Sequence, residues 1–137
     1  MIVLDTNVLS EPFKPRPNPK VLAWLDAQAA ETLYISAVSY AELRTGVLRM
    51  PEGARRKTLA VAIRQVLDLF RDRTLSFDTE AAEHLAAIAA HCESIGKRAV
   101  APDAYIAAIA AAHGFSVATR NVGHFEHTGV SVINPWG

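Results

Sequence analysis

Three acids in this chain stand where one element gives way to the next: Asp5 after an apolar run, Glu42 soon after a second such run, and Asp103 directly behind Pro102. Carboxylates gathered at one edge repel one another, so they stay ionised together only with a cation between them. An oxygen-only donor set suits Mg2+ or Mn2+ rather than zinc. Such an ion lowers the pKa of bound water, orients a phosphodiester for in-line attack and offsets charge on the leaving oxygen. The reaction class of such a site would be metal-assisted phosphodiester hydrolysis. Each acid also has a plainer role. Ser39-Tyr40-Ala41-Glu42 matches a capping box, Asp103 suits the first turn of a helix, and Asp5 suits a turn leaving a strand.

The elements that must position these acids follow from periodicity. Ile2-Val3-Leu4 reads as a buried strand ending at the polar Asp5-Thr6-Asn7. Behind a Pro-rich loop (Pro12, Pro15, Pro17), Asn18 caps a helix with Pro19 first, and Leu33-Tyr34-Ile35-Ser36 reads as a second strand. Ser39 opens a helix through Met50, halted by Pro51; Leu59, Ile63, Val66, Leu67 and Phe70 mark the stripe of another. A short strand at Leu75–Phe77 leads to Asp78 as a cap, with Ala82, Leu85, Ala89 and Cys92 following until Gly96. Pro102-Asp103 begins an Ala-rich helix ended by Gly114, and Ser116–Thr119 and Val130–Ile133 give the last strands. Alternation of this kind predicts an α/β fold with a parallel sheet covered on both faces, its ligands beyond the carboxyl ends of the strands.

Composition sets the bounds. The chain has 137 residues, 50% of them hydrophobic, enough for one compact domain spanning 1–137. Cys92 is the only cysteine, which excludes an internal disulfide and fits a reducing cytoplasm. No leader-like n-region or membrane-length apolar run occurs, so a soluble, cytoplasmic protein with no membrane partner is expected. Fourteen Lys and Arg balance fourteen Asp and Glu, so any nucleic acid must be held by a local basic patch.

Asp5-Thr6-Asn7, Ser39-x-x-Glu42-Leu43-x-x-Gly46, Pro102-Asp103-Ala104-x-Ile106-Ala107, and Thr119-Arg120-Asn121 before Phe125 occur in this order. Together they resemble the PIN-domain ribonucleases of the VapC toxin type, most closely their FitB-like branch, from Ile2 to Ile133-Asn134-Pro135-Trp136. The resemblance implies an α/β/α domain with a central parallel sheet and an Mg2+ or Mn2+ site built from Asp5, Glu42 and Asp103. It implies RNA cleavage leaving a 5′-phosphate, a homodimer, and a cognate antitoxin that blocks the site. DNA is reached only indirectly, through that antitoxin, since this chain has no DNA-reading motif. One departure stands out: where the family commonly has a fourth acid before the Phe, this chain has His124. His124 can ligate the metal, bind through water or contact the scissile phosphate, and an imidazole tilts the preference toward manganese. Thr119 and Asn121 offer a hydroxyl and an amide oxygen to the site, or simply satisfy backbone where strand meets loop.

Other features weigh less. His124-x-x-His127 lacks the further partners a structural zinc needs. Arg55-Arg56-Lys57 reads as a solvated helix start, leaving Arg44 and Arg120 as the nearer phosphate contacts. Trp24, Tyr40 and Phe125 suit base stacking, or core and interface packing. An aspartyl phosphatase wants a second Asp where Asn7 stands, and a phosphorelay receiver wants an acidic pair and a late lysine that are missing. The stronger competitor is a degenerate module that binds antitoxin or RNA without cutting.

Overall fold

The computed structural model describes residues 1–137. Strand β1 (Ile2–Leu4) feeds helix α1 (Thr6–Ser10), followed by α2 (Pro19–Ala27), β2 (Leu33–Ser36), α3 (Ala37–Leu48) and α4 (Ala54–Leu69). The second half runs β3 (Thr74–Leu75), α5 (Thr79–Ser94), α6 (Asp103–His113), β4 (Ser116–Ala118) and β5 (Val132–Ile133). The sheet has the order β3-β2-β1-β4-β5, and every neighbouring pair is parallel. The chain therefore builds outward from β1 in one direction through β2 and β3, and in the other through β4 and β5. That reversal places a crevice beyond the carboxyl ends of β1 and β4, where open α/β sheets take ligands.

Alternation along the strands sorts the core into two layers. Leu4, Leu33, Ile35 and Ala118 face α1 to α4, packing with Val8, Val21, Leu43, Val47, Ile63 and Leu67. Val3 and Val117 face α5 and α6, packing with Ile88, Cys92, Ile106 and Phe125. Helix α6 is covered almost all round: Ile106, Ala107, Ala108, Ile109 and Ala110 have no exposed surface. Its alanines let α5 and the sheet approach closely, which brings the first residue of α6, Asp103, to the sheet edge.

Caps at Asn18 and Asp78 and the left-handed stop at Gly114 (φ 69°) agree with the sequence reading. Several boundaries differ. Helix α3 begins at Ala37 with Ser36 as its cap: the Ser36 hydroxyl accepts the Ser39 N–H at 3.0 Å. The expected Ser39–Glu42 capping box is therefore not formed, and Glu42 lies in the second turn with its carboxylate free to face elsewhere. The edge strands are shorter than expected: β3 is Thr74–Leu75, upstream of the expected Leu75–Phe77 and sharing only Leu75 with it, and β5 is Val132–Ile133. Finally, the Asp5-Thr6-Asn7 edge is already helical from Thr6, in a helix too short to show a period. No helix is long and apolar enough to cross a membrane.

Candidate active site

Asp5 sits at the centre of the crevice because β1 is the central strand and its last backbone N–H is tied across to β4. Asp5 N donates to Ala118 O at 2.9 Å. Its carbonyl accepts the Val8 and Leu9 N–H groups at 3.0 and 3.2 Å, and its Oδ1 accepts Thr6 N–H at 2.7 Å, so Asp5 is the N-cap of α1. The other oxygen, Oδ2, accepts the Thr119 hydroxyl at 2.7 Å and the Asn7 amide at 3.3 Å. The side chain is thus held from α1 and from the end of β4 at once, and only 2% of the residue is exposed.

Thr6 carries the next link. Its Oγ1 lies 2.6 Å from Glu42 Oε1 and 2.9 Å from Ser39 Oγ. A hydroxyl has one proton, which goes to the carboxylate, so Ser39 supplies the proton of the second bond. This bridge joins α1 to α3 and accounts for the orientation of Glu42 that the capping-box reading missed. Glu42 itself is exposed and opens onto a groove of about 610 Å³ lined also by Ala37, Val38, Ala41, Thr45, Gly46 and Arg49.

Asp103 approaches from the third direction, 6% exposed at the first position of α6. Its Oδ2 meets His124 Nδ1 at 2.5 Å. His124 is carried by a single 3-10 turn, Val122–Phe125, anchored by Phe125, which is 1% exposed in the core beneath.

Of the remaining sequence candidates, Thr119 is fully buried and joined to Asp5. Asn121 is exposed and reaches the cluster through its backbone N–H, which donates to Thr119 Oγ1 at 3.0 Å. Asn7 was missed: its amide nitrogen serves Asp5 and Thr119 (3.4 Å) while its oxygen accepts Arg120 N–H at 3.2 Å. Thr6 was missed as well. The signal for both lay in the run Asp5-Thr6-Asn7, in which every side chain has a polar atom within reach of its neighbours. Arg120 is stacked over Trp136, its guanidinium carbon 5.4 Å from the ring centroid. Phe125 is core, and Trp24 and Tyr40 pack on the other layer, Tyr40 taking a 2.9 Å bond from Arg64. These three are packing residues rather than free stacking platforms.

The electrostatics follow from this geometry. Burial pushes the Asp5 carboxyl up from 3.8 to about 6; the Thr119 hydroxyl opposes this, Asp103 adds to it, the Thr6 N–H opposes it, and Glu42 adds a little more. No cationic side chain relieves Asp5. Asp103 and Glu42 both act on Asp5 through their charge, but no trio of His, Cys, Asp or Glu, these three included, closes into a ready-made chelate. Hard carboxylate oxygens with an unrelieved negative charge at their centre are a donor set that suits a divalent cation.

Parallel α/β architecture with an acidic crevice at the switch point defines the class. Within it, residues 2–130 match the PIN domain family, and the chain belongs to that family. It is 49% identical over 137 residues to "VapC ribonuclease Y4jK" of Sinorhizobium fredii, covering 99% of this chain and 98% of that one. It is 45% identical to "Toxin FitB" of Neisseria gonorrhoeae, covering 99% of each. Among solved structures, a chain of FitAB bound to an IR36 DNA fragment superposes with a TM-score of 0.97 at 44% identity, covering 100% of this chain and 96% of that one.

Proposed function

We infer that this chain, as one PIN unit spanning 1–137, is an Mg2+- or Mn2+-dependent endoribonuclease that acts as a toxin and is neutralised by a cognate antitoxin. The observation that carries the reading is Asp5: a buried acid at the switch point, raised to about 6, facing two further acids and no cation of the protein's own. The relatives named as a VapC ribonuclease and as a FitB toxin point the same way. The solved FitAB complex bound to a DNA fragment supports a cognate antitoxin as partner. A homodimer working in the cytoplasm belongs to the same proposal.

Asp5, Glu42 and Asp103 would hold the ion, which when bound supplies a Lewis acid for the phosphodiester and charge compensation for the leaving oxygen. The chain's own residues prepare the place. Thr119, Asn7 and the Thr6 N–H fix both oxygens of Asp5, so its orientation is set before substrate arrives. Thr6 holds Glu42 on the groove, whose mostly small lining side chains would receive a single strand. Arg120, steadied by Trp136, and Arg44 supply positive charge for the RNA backbone.

The test is incubation of antitoxin-free protein with total RNA and defined oligonucleotides in Mg2+, Mn2+ or EDTA. Cutting that leaves 5′-phosphate ends and vanishes in Asp5→Asn and in EDTA is the expected result; cutting indifferent to both would refute it. A second reading, a module that binds without cutting, is favoured by His124 in the place of the family's fourth acid. It predicts a folded protein that captures antitoxin or RNA yet leaves every RNA in the panel intact.

A further inference from the structure

His124 is placed by the fold with some care. Phe125 locks the turn into the core beside Ile106 and Ala107, and this carries the neighbouring imidazole onto Asp103, with Nδ1 at 2.5 Å from Oδ2. Because the partner is a carboxylate, Nδ1 is the nitrogen that carries the hydrogen, so the imidazole donates and Asp103 accepts. The Asp103 side chain is 9% exposed and the His124 side chain 46%, so the contact covers one oxygen of a buried acid from the solvent side. An acid at this position would face Asp103 with like charge and would itself require a cation.

Resting on the metal-holding reading above, we propose that His124 is a positioning residue that clamps Asp103 and sets the number of cations. Its Nδ1–H occupies Asp103 Oδ2, leaving Oδ1 as the oxygen available to an ion. Replacing a carboxylate by an imidazole, which carries no negative charge, also changes the charge balance. Four carboxylates neutralise two divalent ions, whereas three leave such a pair with uncompensated positive charge. This chain therefore takes one divalent ion where a version with the fourth acid takes two. His124 acts through Asp103 and does not bind the ion itself.

The experiment is titration of the purified full-length chain with Mn2+ alone near neutral pH. The unbound ion is counted by electron paramagnetic resonance, and nitrogen coupling to the bound ion is read by electron spin-echo modulation. Wild type is expected to bind one Mn2+ without a directly bonded nitrogen. His124→Asn, whose amide keeps a donor on Asp103, should stay within about threefold of wild type, while His124→Ala should weaken binding about tenfold. His124→Asp should gain a second bound Mn2+. A directly bonded nitrogen in wild type would make His124 a ligand and overturn the proposal. So would one Mn2+ of unchanged affinity in all three variants, provided that Asp5→Asn still abolishes binding; that result would leave the metal site standing and remove only the clamp. Absence of Mn2+ binding in wild type would remove both.

Discussion

Asp5 and Glu11 are two buried acids six residues apart at the same end of β1, and the chain treats them oppositely. Glu11, 3% exposed, has its own cation: Lys14 Nζ lies 2.9 Å from Oε2, and Asn18 N–H donates to Oε1 at 3.0 Å. The Lys14 ammonium first, and then the Asn18 N–H, hold its carboxyl below the usual range. Asp5 has donors but no cation, and its carboxyl is raised to about 6. The local sequence thus neutralises a buried acid where the acid serves the fold, here closing the Pro-rich loop of residues 12–19. At Asp5 it leaves the charge uncompensated, which costs stability and is the feature on which the proposed metal site rests.

The largest separation of the two acids is expected in catalysis. Asp5→Asn should lower RNA cleavage by about 10³-fold or more, the scale of several kcal/mol of transition-state stabilisation, while Glu11→Gln should leave the rate of a folded sample within a few-fold. Single-turnover cleavage of one oligonucleotide by both variants makes the comparison, and equal losses would erase it.

Next comes stability, where the two acids have opposite signs. A raised carboxyl contributes stability below about 3.8 that is lost as pH climbs through about 6, so metal-free protein should gain on the order of 3 kcal/mol from Asp5 on going from pH 7 to below 4. Glu11, being lowered, contributes stability above its ordinary range and loses it only at more acidic pH. Asp5→Asn should flatten the first limb and raise the pH 7 melting temperature in EDTA. Urea melts across this pH range read both, and an Asp5→Asn protein less stable than wild type at pH 7 in EDTA would contradict the assignment.

A smaller effect belongs to Thr119→Val, which deletes the 2.7 Å hydroxyl bond to Asp5 while keeping the volume. About 1.5–3 kcal/mol is the usual worth of a hydrogen bond to a charged group, and the midpoint of the Asp5 limb should move to higher pH. Smallest of all is Lys14→Met: the lysine is half exposed, so under about 1 kcal/mol is expected in a melt, with cleavage unchanged.

Much of this contrast was legible in the residues themselves. Apolar runs followed by Asp5 and preceded by helix caps were enough to expect a parallel sheet with acids at its carboxyl edge. Gly114, Asn18 and Asp78 marked ends that the structure keeps. Where the reading failed, two residues of one kind competed locally. Ser36 and Ser39 can each cap a helix, and only tertiary placement at the end of β2 decides for Ser36, turning Glu42 from a capping residue into a partner of Thr6. Helix α1 went unseen because five residues are too few for a period. The burial of Glu11 follows from the loop that wraps it, a long-range property with no local pattern. His124 was visible only as a departure from the family, and its contact with Asp103 spans 21 positions, beyond any motif.

The claim that Asp5 is an acid left for an external cation is tested most directly by a crystal of the protein soaked in Mn2+ at neutral pH, with anomalous scattering used to locate the ion. A peak in the crevice within ligand distance of carboxylate oxygens of Asp5, Glu42 and Asp103 is the expected result. A fully formed crystal with no peak there, or with its ion held by other side chains, would contradict it.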